Sequence, residues 1–179
     1  MKTIAIVAGE SSGDLLGSHL IKSLKVSRSD LKFIGVAGPK MVKEGAFSYF
    51  SMEELSVRGY FEAFKKLFHL LKLRKNLLKK ILDTKPDLFI GVDAPDFNFW
   101  IERQLKKKGI PVIHYVSPSI WAWRGDRLGK IKKSIDHMLT IFPFEKKIYA
   151  KAHIESTFVG HPLAEMIPLH PNKKKAQNK

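Results

Sequence analysis

Leu88-Phe89-Ile90-Gly91-Val92 is an unbroken apolar run that stops at a carboxylate, Asp93, and is followed by Ala94-Pro95-Asp96-Phe97-Asn98. Five apolar residues without polar alternation suit a strand buried on both faces, which is the central position of a parallel sheet. Pro95 biases Ala94 away from helix, so the chain must turn directly after the strand. A helix is then expected from near Asn98 through Phe99 to Lys108, with Gly109 as its stop signal. Asp93 thereby falls at the carboxyl end of a strand, where open α/β sheets form their ligand crevice. A second reading stands beside this one: Asp93 or Asp96 caps the following helix or ties down the turn.

The rest of the chain repeats this rhythm. Thr3 to Ala8 is β-branched and apolar, Gly9-Glu10-Ser11-Ser12-Gly13-Asp14 is a turn of small and polar residues, and Leu15 to Leu24 is amphipathic. Such a turn exposes backbone N–H groups at a helix N-terminus, where the macrodipole favours an anion. It is neither a GxGxxG fingerprint nor a Walker A loop, and a plain capping turn through Ser12 or Asp14 is equally compatible with it. Leu31 to Val36 reads as a strand and Pro39 to Glu44 as a short helix. Phe47 to Phe50 is a candidate third strand, with a loop over Met52 to Gly59. Ile110 to Val116, His137 to Phe142 and Ser156 to Gly160 read as further strands, with helices over 124–134 and from Pro143 to about Lys151. The expected fold class is α/β, a Rossmann-like doubly wound parallel sheet, with one domain over residues 1–167 and a polar, basic tail or linker over 168–179.

Charge is the feature of composition that constrains partners. Lys and Arg number 32 against 17 Asp and Glu, a net charge of +15, so phosphates, nucleic acid and anionic membrane surface are the partners to weigh. Much of the excess falls in Phe61 to Leu82, where apolar residues recur at three- and four-residue spacing among lysines that include Lys65, Lys66, Lys72, Lys75 and Lys79. More apolar side chains are present than one core-facing stripe requires, the pattern of a helix lying in a membrane interface; an ordinary crossover helix with a solvated basic face is the competing reading. No helix-turn-helix, zinc or aromatic RNA-binding signature supports nucleic acid. The chain has no cysteine and its seven histidines lack metal-ligand spacing, so neither metal nor cofactor is expected. The short apolar run at the start lacks the length of a signal-peptide core, and no run reaches the roughly 20 apolar residues of a membrane span, so a soluble, cytosolic protein is expected.

The carboxyl end of the Ile110–Val116 strand runs into Ser117-Pro118-Ser119-Ile120-Trp121-Ala122-Trp123-Arg124, placing serines, tryptophans and an arginine at the same sheet edge as Asp93 and the Gly9–Asp14 turn. With these residues laid out, the chain resembles the lipid-A-disaccharide synthase family. The resemblance lies in five ordered stretches: Val7 to Asp14, Val92 to Asn98, His114 to Arg124, Phe142-Pro143-Phe144-Glu145 and Val159-Gly160-His161-Pro162. It covers essentially the whole chain but only the first half of the family, whose fold is similar to the GT-B arrangement of two Rossmann-like halves.

The resemblance implies transfer of a diacylated glucosamine from UDP-2,3-diacylglucosamine to the 6-hydroxyl of 2,3-diacylglucosamine 1-phosphate, with inversion, release of UDP and no metal. It places the family's conserved aspartate at Asp93, as general base for the acceptor hydroxyl. Glu10, Ser12, Gly13, Asp14 and Asn98 would line the acceptor side, with Ser117, Ser119 and Arg124 completing the wall, and the basic segment would dock the enzyme on the inner face of the inner membrane. A non-catalytic module binding anionic lipid or a phosphorylated sugar is the alternative. Because the family's second half supplies most of the UDP-sugar site, these 179 residues alone are expected to transfer no sugar at an appreciable rate. A separate second half, a truncation and a cut piece are all open as its source.

Overall fold

The computed structural model describes residues 1–55, 63–120 and 127–166, with the backbone only at 63–67 and 165–166. Seven strands form one sheet: β1 Lys2–Ala8, β2 Leu31–Val36, β3 Ala46–Phe50, β4 Leu88–Val92, β5 Val112–Tyr115, β6 His137–Thr140 and β7 Glu155–Phe158. The helices between them are α1 Ser11–Ser27, α2 Pro39–Lys43, α3 Ala63–Thr84, α4 Pro95–Lys107, α5 Leu128–Ser134, α6 Glu145–Lys151 and α7 Leu163–Met166, with a 3-10 turn at Met52–Leu55. The strand order is β3-β2-β1-β4-β5-β6-β7 and every pairing is parallel. The doubly wound sheet expected from the sequence is therefore present.

Alternate residues of the central strands bury on opposite faces, which is why their sequences show no polar alternation. Ala5 and Val7 of β1 and Phe89 of β4 join Leu73, Leu77 and Ile81 of α3 and Ile101 and Leu105 of α4 in one cluster. Ile4, Ile6 and Ala8 of β1 with Ile90 and Val92 of β4 pack against Leu16 and Ile21 of α1 and Met41 of α2 on the other face. Each fully buried side chain of this kind contributes about 1.5–3 kcal/mol, so the two-sided sheet is the main source of stability.

Three boundaries differ from expectation. Helix α4 starts at Pro95 rather than near Asn98: Ala94 takes a left-handed φ of 43° as the residue before the helix, and Pro95 occupies a first-turn position where its missing N–H costs nothing. Helix α1 starts at Ser11, so Ser12, Gly13 and Asp14 belong to its first turn and not to a loop. Strands β5, β6 and β7 are shorter than their apolar runs, since β6 stops at Thr140 and β7 at Phe158. Trp121, Trp123, Arg124 and the 168–179 tail lie outside the described residues. No helix among the described residues is long and apolar enough to cross a membrane.

Candidate functional site

The strand order reverses direction at β1 and β4: the chain winds outward from β1 through β2 and β3, then returns to the other side of β1 to lay down β4. At such a switch point the loops leaving adjacent strands diverge and open a crevice at the carboxyl edge. Gly9-Glu10 leaves β1 there and Asp93-Ala94 leaves β4. Asp93 and Ala94 both have positive φ, 53° and 43°, a conformation that non-glycine residues hold only when their surroundings enforce it.

Asn98 is one part of that enforcement. Its side chain is fully buried, and its Nδ2 donates to the carbonyl of Asp93 at 2.8 Å and lies 3.4 Å from the carbonyls of Val7 and Val92. One amide thus ties the end of β1 to the end of β4. Across β5, the Asp93 N–H donates to the Tyr115 carbonyl at 2.9 Å. The half-buried Asp93 carboxylate is oriented by Ser12, whose Oγ donates to Oδ2 at 3.1 Å. It lies against the first turn of α1, where the helix dipole favours a negative charge. Gly13 eases that close approach: a Cβ there would stand 3.3 Å from the Val92 carbonyl oxygen, tighter than most such contacts. No side chain caps α4, so the capping reading of Asp93 and Asp96 gives way. Asp96 is exposed and stands 3.9 Å from Arg127.

Asp93 opens into a cleft of about 480 Å³ lined by Glu10, Leu55, Leu70, Leu71, Arg74 and Asp96 among others. Glu10 and Ser12 are exposed at its edge. Three residues assigned to the substrate wall from sequence are buried, two of them with hydrogen-bond partners within the fold. Asp14 is buried, and its carboxylate accepts the N–H groups of Lys40 and Met41 at 3.0 and 2.9 Å, capping α2. Asn98 and Gly13 are buried supports, one positioning the Asp93 backbone and the other allowing α1 to approach it.

Ser117, also assigned to the wall, is buried too. Its Oγ lies 2.6 Å from the Tyr149 hydroxyl and donates to the Pro118 carbonyl. Burial pushes the Tyr149 hydroxyl up to about 12. Nearby, Glu145 is fully buried and accepts the Phe142 N–H at 3.0 Å; burial raises its carboxyl above the ordinary value. Ser119 is exposed. Arg124 and the side chains of Lys65 and Lys66 lie outside the described ones, whereas Lys72, Lys75 and Lys79 are exposed on α3.

The sequence reading missed Arg74, which looks like one basic residue among many. In the fold it lies in the cleft wall with its guanidinium 4.4 Å from the centre of the Trp100 ring. It also missed the pairing of Glu102 with His114, both fully buried, at 2.6 Å between Oε1 and Nδ1. Among the described residues no group of three His, Asp or Glu side chains is placed to hold a metal ion.

A seven-stranded parallel Rossmann-like sheet of this order is the fold of one half of a GT-B glycosyltransferase. In accord with this, the fold superposes on a glycotransferase of kitacinnamycin with a TM-score of 0.57 at 17% identity, covering 88% of this chain and 51% of that one. It superposes on MurG of Acinetobacter baumannii with a TM-score of 0.52 at 15% identity, covering 80% and 42%. The family model for lipid-A-disaccharide synthetase matches residues 4–179. The lipid-A-disaccharide synthase of Methylobacillus flagellatus is 59% identical over 177 residues, 99% of this chain and 47% of that protein. The chain belongs to the lipid-A-disaccharide synthase family. It spans about half the length of the curated relatives it matches.

Proposed function

We propose that this chain forms the acceptor side of a lipid-A-disaccharide synthase. In this reading 2,3-diacylglucosamine 1-phosphate enters the cleft beside Asp93, and a second half, within a longer chain or separate, supplies most of the site for UDP-2,3-diacylglucosamine. Asp93 takes the proton of the acceptor 6-hydroxyl as that oxygen attacks the anomeric carbon from the face opposite UDP. The bond to UDP breaks, UDP leaves with the electron pair, and the configuration inverts.

The observation that carries the proposal is the carboxylate at the switch point. One of its oxygens is held by Ser12, no other hydrogen bond to the carboxylate is found among the described residues, and its backbone is locked by Asn98. A general base must sit within hydrogen-bond reach of the proton it removes, and a short side chain on a rigid strand end keeps that geometry better than a loop. The +15 charge of the chain and the exposed lysines of α3 support a location on the inner face of the inner membrane, where anionic lipid attracts each nearby cation by about 1 kcal/mol. The test is Asp93→Asn with the second half supplied. Turnover should fall at least about 10²-fold if the carboxylate acts as base, and near wild-type turnover would remove Asp93 from the mechanism.

A further inference from the structure

The cleft beside Asp93 presents an imbalance of charge that its occupant must resolve. Glu10, Asp93 and Asp96 bring carboxylates to it, and Arg74 is the only cation among its described lining residues. A guanidinium placed there to neutralise those carboxylates would be bonded to one of them. Arg74 is not: no ion pair or hydrogen bond of its side chain is found among the described residues, and its Nε is buried without a partner. Burial lowers its pKa with no carboxylate to offset the effect. Its guanidinium lies over the Trp100 ring, 4.4 Å from the ring centre, a contact that leaves its N–H donors unspent. A half-buried guanidinium without an anion is costly, so this cleft is built for a ligand that brings one.

The other lining residues say what kind of ligand that is. Leu55, Leu70, Leu71 and Phe97 give the same cleft an apolar wall, so an occupant with hydrocarbon on one side and an anion on the other fits it. The first turn of α1, the other electropositive feature nearby, already faces the Asp93 carboxylate. A dianionic group would be repelled there and attracted to Arg74, where a planar fork makes two parallel charge-assisted bonds to a phosphate. We infer that Arg74 is the anchor for the phosphate of the acylated acceptor, holding that end of the sugar while Asp93 meets the hydroxyl. This inference rests on the acceptor-side reading of the cleft and adds to it a residue that discriminates a phosphorylated from an unphosphorylated lipid.

Equilibrium binding of short-chain 2,3-diacylglucosamine 1-phosphate and of the same lipid without phosphate, to the 179-residue chain and its variants, tests the anchor. The wild type should bind the phosphorylated lipid at least tenfold more tightly. Arg74→Gln should bring that ratio close to one by weakening the phosphorylated lipid far more than the unphosphorylated one, and Arg74→Lys, which keeps the charge and loses the fork, should fall between. Binding to phosphatidylglycerol vesicles should be the same for wild type and Arg74→Gln, because a bilayer surface does not enter the cleft.

A wild-type ratio near one, or an Arg74→Gln ratio equal to a high wild-type one, would overturn the anchor and leave the acceptor cleft standing. Loss of vesicle binding in step with loss of the ratio would reduce Arg74 to a general surface cation and overturn it as well. Absence of binding by either lipid to the wild type would sink the acceptor-side reading and the anchor together. Should Arg74→Gln fail to fold, as judged by its thermal melt, an unchanged ratio in Arg74→Lys would overturn the forked contact.

Discussion

Two buried side chains decide how the carboxyl edge behaves at the scale of single residues. Asn98 gives one amide to the ends of two strands, so Asn98→Ala leaves buried carbonyls short of a donor and should cost about 1–3 kcal/mol, seen as a lower urea midpoint. If Asp93 is the base, the same change should lower kcat in the two-part enzyme with little change in the acceptor KM, because Asn98 touches no cleft surface. An unchanged kcat would mean that Asp93 holds its pose without help.

Glu102 supplies the second residue-scale prediction. Burial pushes its carboxyl up, and the neighbouring His114 opposes that only in part. A carboxyl raised on folding holds its proton where the unfolded chain has released it. Its contribution is thus fully present below the unfolded value of about 4.5 and is lost as pH rises through the folded value. Glu102→Gln should flatten the decline in unfolding free energy as pH rises above the unfolded value of about 4.5, measured by urea denaturation. Some slope should persist because burial raises Glu145 with the same sign. Asp30, held down to about 2 chiefly by its hydrogen bond from Arg28, has the opposite sign and acts below that window. Identical slopes for wild type and Glu102→Gln would place the pH dependence elsewhere.

Among the elements, α3 resolves a conflict that its sequence leaves open. Leu73, Leu77 and Ile81, four residues apart, form the stripe that enters the core, while Lys72, Lys75 and Lys79 recur on the solvent side with Phe68 and Leu71 also exposed there. The helix is a crossover helix on one face and a basic surface on the other. Replacing Lys72, Lys75 and Lys79 with Gln should leave the melt unchanged and weaken sedimentation with anionic liposomes by about 10²-fold at low salt, at about 1 kcal/mol per lysine. Binding unaffected at low salt, where screening is weakest, would assign these lysines to solubility alone.

Elements were legible where a period or an end signal is local. The run before Asp93 announces a central strand because both faces are apolar, and Pro39 announces α2. What stayed hidden depends on partners distant in sequence. Asp14 looks like a residue of the phosphate turn until Lys40 and Met41 arrive 26 and 27 residues later to claim its carboxylate. Gly91 passes in the sequence as one more apolar residue of β4, yet a Cβ there would run into Oε1 of the buried Glu102. Within the candidate site, Asp93, Glu10 and Ser12 were readable from their place at strand and helix ends. Arg74 was not, because spacing cannot tell a guanidinium laid on Trp100 from its solvated neighbours.

For the whole molecule, the decisive question is how much catalysis one half of a cleft can deliver. The described residues bring together a carboxylate, a guanidinium and an apolar wall, which in the proposed reading serve one of the two substrates. Holding two reactants in near-attack geometry is worth about 7–11 kcal/mol of barrier, and that gain exists only when both are bound. A chain that positions the acceptor alone keeps its binding function and forfeits this factor of roughly 10⁵ or more. The 179-residue chain incubated with UDP-2,3-diacylglucosamine and 2,3-diacylglucosamine 1-phosphate should therefore form no disaccharide above background while still binding the acceptor. Adding a separately made second half should restore turnover, and Asp93→Asn should abolish the restored rate. Disaccharide formed by the chain by itself would mean that the donor also binds within these residues, and the division of labour between the halves would have to be redrawn.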